Sequence, residues 1–87
     1  MSKLKFDRLL NFTIKKGESV KVPKGELWRG RMFGLQSGVT AYVNDSSVSH
    51  DSPEITCVED ASVRCGESQY TKQVILQGIA FKVVENV

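Results

Sequence analysis

Apolar and polar residues alternate with a period of two through most of this chain, the spacing of strands with one face in a core and the other in solvent. The alternation is plainest in Ser19-Val20-Lys21-Val22, where the two valines share a side. Pro23 fixes φ and Gly25 permits positive φ, so Pro23-Lys24-Gly25 predicts a reversal. Glu26–Gly34 then reads as a long strand. Its alternation puts Trp28 and Met32 on one face with Gly30 between them, and Leu27, Arg29, Arg31 and Phe33 on the other. Trp28 can share its face with Met32 and the valines and is expected in the core.

The same pattern punctuates the rest of the chain. Leu10, Phe12 and Ile14 alternate, so Leu9–Lys15 predicts a first strand, which Lys15-Lys16-Gly17 turns into a second over Glu18–Val22. Leu4, Phe6, Leu9 and Leu10 keep no common period, and residues 1–8 are expected to form an N-terminal arm or an extra strand. After a Gln36-Ser37-Gly38 turn, Val39–Asn44 alternates again. Val43-Asn44-Asp45-Ser46-Ser47-Val48 sets turn formers between apolar residues, a hairpin signal. Ser49–Pro53 is expected as an exposed loop, Ile55–Val58 as a strand, Glu59-Asp60 as a turn and Ser62–Cys65 as a strand. Gln73–Val84 is the most apolar segment, and Gly78 within it predicts a bulge or a close backbone approach.

About seven or eight short strands with turn signals between them predict an all-β fold, a small antiparallel β-sandwich or jelly-roll-like barrel. The 87 residues make one domain, 1–87, which buries roughly 60–70% of its unfolded surface. Such a domain has one core, yet its last strand is apolar on both sides. Val74 and Leu76 oppose Ile75, and beyond Gly78 the residues Ile79, Phe81 and Val83 form a stripe. Either Gly78 shifts the register or another subunit covers the outer side. The subunit is the preferred reading, with Ile75, Ile79, Phe81 and Val83 as interface candidates.

Composition narrows the function classes. A net charge of +2 is too mild to imply nucleic acid. No apolar run approaches the roughly 20 residues of a membrane helix, so no membrane partner is expected. Met1-Ser2-Lys3-Leu4-Lys5 lacks the apolar stretch of a signal peptide, which makes a cytosolic compartment the default. That compartment disfavours a disulfide between Cys57 and Cys65. A metal site needs three or four ligands and the only histidine is His50. Two buried free thiols are expected, with no metal and no cofactor.

Catalytic constellations are sparse. A nucleophilic triad needs a histidine base, and His50 sits in a polar loop without local partners. Glu54, Glu59, Asp60 and Glu67 could pair across a hairpin for acid–base work, but surface solvation explains them equally well. Neither a Walker nor a Rossmann pattern occurs, and no enzyme activity is expected. Arg29, Arg31 and Phe33, with Lys21 on the adjacent strand, are the strongest ligand candidates. Two guanidiniums and an aromatic on one face suit a phosphate or a stacked base; a solvated face or a subunit contact would use the same residues.

The run Gly17-Glu18-Ser19-Val20-x-Val22-Pro23-x-Gly25-x-x-Trp28 resembles a class of small β-sandwich modules common in bacteriophage structural and accessory proteins. Gly38-Val39-Thr40-Ala41-Tyr42-Val43-Asn44 looks like a second piece of that pattern, and Val74–Phe81 resembles its closing strand. Cys57, Cys65 and the Arg29/Arg31 pair fall outside it. The resemblance implies a homo-oligomer, trimeric or higher, placed in a tail, fibre or capsid decoration, acting through protein contacts in the virion or the infected host's cytoplasm. Other phage or host proteins are further expected partners. The competing expectation is a phage counter-defence protein that sequesters an anionic nucleotide signal at Arg29 and Arg31 between subunits.

Overall fold

Eight strands pair as one long hairpin folded back on itself. The computed structural model describes residues 2–85. The strands are β1 (Ser2–Lys15), β2 (Ser19–Lys21), β3 (Glu26–Phe33), β4 (Ala41–Val43), β5 (Ser46–Ser47), β6 (Glu54–Cys57), β7 (Ser62–Cys65) and β8 (Gln73–Glu85). β1 pairs with β8, β2 with β7, β3 with β6 and β4 with β5, all antiparallel. Rolling up this nested hairpin brings β3 beside β8 and β4 beside β7. Two four-stranded sheets result, ordered β1-β8-β3-β6 and β2-β7-β4-β5. That is the strand order of a jelly roll, so the all-β sandwich expected from the alternation is the fold. Two of its strands are long, β1 with 14 residues and β8 with 13.

The core lies between the sheets. Leu10, Ile14, Trp28, Met32, Val74 and Leu76 come inward from the first sheet, and Ala41, Val63 and Cys65 from the second. Trp28 stacks on Phe12 with ring centroids 5.4 Å apart. Cys57 and Cys65 are buried free thiols. The turns use the residues their backbones require: Gly25 takes φ 78° and Asn44, between paired Val43 and Ser46, takes φ 54°, a left-handed value that asparagine accepts. The Val39–Asn44 alternation yields a strand only over Ala41–Val43.

Residues 2–8 are continuous with the predicted first strand. From Ser2 onward they are the first half of β1, paired to β8 as far as Glu85; Met1 lies outside the described residues. A one-residue bulge falls between Phe6 and Arg8. It inverts the inside–outside phase, as an extra residue in one strand must, so Leu4 and Phe6 face out while Leu10, Phe12 and Ile14 face in. Gly78 causes no shift, because pairing runs through it to both neighbours. It is a close approach instead. Gly78 lies opposite Gly30, and a Cβ added to Gly78 would sit 2.2 Å from the Arg29 carbonyl oxygen.

β3 ends its pairing at Glu26–Lys82. Beyond that row β1 and β8 continue alone as a short two-stranded ribbon, Ser2–Leu4 against Val83–Glu85. The long axis of the molecule is 50 Å against 19 and 18 Å across. Val83 ties the ribbon root to the first turn by donating its N–H to the Gly25 carbonyl at 2.8 Å.

Candidate functional site

The register assigns every side chain of the first sheet to a face. Outward come Leu4 and Val83, then Phe6, Phe81 and Leu27, then Leu9 and Ile79 beside Arg29 and Thr56. The next outward row holds Asn11, Gln77, Arg31 and Glu54, and the last Thr13, Ile75 and Phe33. Seven apolar side chains therefore occupy three consecutive rows. Leu9 is 75% exposed, Phe6 58%, Leu4 48% and Val83 36%. The outer face of the second sheet is polar instead: Ser19, Arg64, Tyr42 and Ser47 form one row, with the Arg64 guanidinium over the Tyr42 ring at 4.5 Å.

All four residues singled out on the last strand, Ile75, Ile79, Phe81 and Val83, belong to the outward rows. Arg29, Arg31 and Phe33 share that face too. Lys21 does not. It lies on β2 in the other sheet, 3.9 Å from Asp60, because in a jelly roll the strand preceding β3 in sequence crosses to the opposite layer. The Arg31 Nη2–H donates to Glu54 Oε1 at 2.6 Å, and that guanidinium holds the Glu54 carboxyl below the usual carboxylate range. Arg29 is exposed and has no ion pair among the described residues. A cleft of ≈ 260 Å³ opens beside Arg31, walled by Phe33, Leu35, His50 and Pro53.

The four carboxylates considered for acid–base work do not gather. Glu54 pairs with Arg31, Asp60 faces Lys21, Glu67 lies over Gly17, and Glu59 is exposed in its turn. Among the described residues no three His, Cys, Asp or Glu side chains converge to hold a metal ion. Burial pushes the Cys57 and Cys65 thiols up, away from reactive thiolate. No helix among the described residues is long and apolar enough to cross a membrane.

Three features escaped the sequence reading. Leu4, Phe6 and Leu9 join the apolar rows of the outer face, and their irregular spacing is the trace of the bulge. Glu26, 6% exposed, accepts from the Trp28 Nε1–H at 2.9 Å and forms a two-pronged ion pair with Arg8 at 3.0 and 3.1 Å. The Arg8 guanidinium, then the indole donor, hold that carboxyl below its ordinary range against the opposing effect of burial. Buried Thr71 ties two loops together by accepting from the Thr40 N–H at 3.0 Å, with the Ser68 hydroxyl 2.6 Å away. Alternation puts Glu26 on the Trp28 face but carries no trace of Arg8 or of the Thr71 contacts, whose partners are far apart in sequence or lie in loops. Comparison with protein-family models, with curated proteins and with solved structures finds no match to this chain.

Proposed function

We propose that this chain is a non-enzymatic jelly-roll module that works by assembling with copies of itself, as bacteriophage tail, fibre, capsid-decoration and accessory proteins do. The apolar outer face of the β1-β8-β3-β6 sheet carries the reading. Its seven apolar side chains expose on the order of 500 Å², the upper range of what monomer surfaces show. With the bordering Arg29, Thr56, Asn11 and Gln77, the face approaches the roughly 800 Å² per partner of a stable interface. The phage-module pattern in the sequence supports the same role, in the virion or in the infected host's cytoplasm.

Sedimentation velocity and native mass spectrometry over a concentration series test it. The wild-type chain is expected to be an oligomer, trimeric or higher. Burying a leucine stabilises by about 1.5–3 kcal/mol, so Leu9→Lys is expected to weaken assembly at least about tenfold while leaving the circular dichroism spectrum unchanged. A wild-type chain that stays monomeric at its highest attainable concentration sinks the proposal.

A second reading rests on Arg29, the exposed unpaired cation beside the apolar rows. Repeated around an oligomer, Arg29 and Arg31 would converge on an anionic nucleotide, with Phe33 available for stacking. Glu54 already neutralises Arg31 and must move for that site to form. A nucleotide panel that gives no thermal shift, or a shift that Arg29→Ala leaves intact, removes this reading.

A further inference from the structure

The ribbon beyond Glu26 has a second face, and its chemistry is opposite to that of the first. Turned away from Leu4, Phe6 and Val83 are Lys3 beside Val84 on the ribbon, and Lys5 and Lys82 in the Glu26 row at its root, all but Glu26 exposed. Lys5 and Lys82 stand directly opposite each other, and like charges so placed destabilise a strand pair. Among the described residues none of the three lysines lies within 4.0 Å of a carboxylate. Among the described residues the buried carboxylate at the root is Glu26; it is held by Arg8 and Trp28, and Lys82 acts on it from the neighbouring strand without a direct ion pair. A two-stranded ribbon bare on both faces is marginal by itself in water. A partner covering it would stabilise it, and negative charge would complement the lysine side.

The same end of the molecule supplies that charge. The turn after β4 carries Asp45 and the turn after β6 carries Glu59 and Asp60, all exposed. The two turns are stitched into one rim: the Asn44 N–H donates to the Ser62 carbonyl at 2.7 Å, and the Ser62 N–H donates to Asn44 Oδ1 at 3.0 Å. Asp60 has only a loose contact with Lys21, at 3.9 Å. Three exposed carboxylates thus sit on one rim, and three exposed lysines without a direct ion pair lie at the same end, since Asp60 donates its N–H to Val22 and Val83 donates to Gly25 of the same turn.

We infer that the ribbon is an intersubunit arm whose Lys3, Lys5 and Lys82 face docks on the Asp45, Glu59 and Asp60 rim of a second copy of this chain. The inference rests on the assembly reading and adds the contact that orients neighbours. Two faces of different chemistry need two different surfaces, and a closed ring of copies offers both at once. The apolar rows supply adhesion; the charged contact sets which way round the copies meet.

Charge reversal tests it on the full chain, read by sedimentation at low and high salt. Lys5→Glu with Lys82→Glu is expected to weaken assembly at least about tenfold, and so is Glu59→Lys with Asp60→Lys, because like charges then meet. The chain with all four changes restores opposite charges at the contact and is expected to assemble within about threefold of wild type. All the sites are exposed, and thermal unfolding of each variant checks the fold. Recovery in the fourfold variant supports the arm, because a merely damaged fold is not repaired by further substitutions. If wild type assembles but the reversals change nothing, or the fourfold variant stays dissociated, the arm is overturned and the assembly reading stands. A monomeric wild type overturns both. If that monomer retards a DNA duplex through Lys5 and Lys82, the lysine face belongs to nucleic acid instead.

Discussion

Removing Arg8 should cost more than removing Arg8 and the charge of Glu26 together. Glu26 is 6% exposed, and its carboxylate is held by Arg8 at 3.0 and 3.1 Å and by the Trp28 indole at 2.9 Å. In Arg8→Ala the carboxylate stays buried with one neutral donor. Stranding one member of a fully buried pair costs about 3–5 kcal/mol. The Arg8 side chain is 42% exposed, and Lys82 still acts on Glu26, so about 2 kcal/mol is the reasoned figure here. Adding Glu26→Gln keeps an acceptor for the indole and leaves no charge to strand, so the double variant should recover half or more of the loss. Urea unfolding at fixed protein concentration measures all three chains, since assembly would shift apparent stability; with a slope near 1 kcal/mol/M, the Arg8→Ala midpoint should fall by roughly 2 M.

The pH dependence sharpens that test. In the wild type the folded pKa of Glu26 is depressed, so its contribution is complete above the unfolded carboxylate pKa and is lost as pH falls through the folded value. Without Arg8 the largest cause of that depression is gone while burial still opposes ionisation, so the carboxyl of the variant takes up its proton at higher pH than that of the wild type. The gap between wild type and Arg8→Ala should therefore shrink from pH 7 toward pH 4. A gap that is flat with pH, or a double variant as unstable as Arg8→Ala, would refute the claim that a stranded carboxylate is the cause.

Two other predictions concern the core. Gly78→Ala places a Cβ 2.2 Å from the Arg29 carbonyl oxygen and 2.5 Å from Gly30 Cα; forcing those strands apart should cost about 1–3 kcal/mol, read as a lowered thermal midpoint, and an unchanged midpoint would show that the strands separate freely. Cys57 and Cys65 are buried with thiols pushed up by burial, so a thiol reagent at neutral pH should label neither until the chain unfolds in urea, and rapid labelling of the native chain would place one of them at the surface.

What the sequence made legible follows the reach of each signal. Alternation is local, so it separated Trp28 and Met32 from Arg29, Arg31 and Phe33 correctly and placed the turns at Gly25, Asn44 and Asp60. Strand neighbours are not local in a nested hairpin. β2 precedes β3 yet pairs with β7, so Lys21, expected on the strand beside the arginines, lies in the other sheet. Leu4, Phe6, Leu9 and Leu10 keep no common period because two regular alternations meet at the Asp7 bulge with opposite phase. With Asp7 set aside, Leu4 and Phe6 fall in register with Phe81 and Val83. The Glu26–Arg8 pair bridges eighteen positions, and no spacing rule announces it.

Magnitudes decide between the two uses of the outer face. At about 25 cal/mol per Å², a patch on the order of 500 Å² gives roughly 12 kcal/mol gross per copy. Ordering two bodies costs about 4–15 kcal/mol, so the patch alone makes an interface near the margin. In the assembly proposed above, the arm's charged contact and the polar border would set whether, and in which orientation, copies stay together. A nucleotide held by Arg29 without the other subunits has only one charge-assisted contact, worth about 1.5–3 kcal/mol, and Arg31 must first leave Glu54. On these magnitudes the proposed ligand capture depends on the proposed assembly, and not the reverse. The jelly roll does not choose between them, since one fold serves many roles. The choice comes from one sheet leaving its apolar rows uncovered while the other closes its outer face with Arg64 over Tyr42.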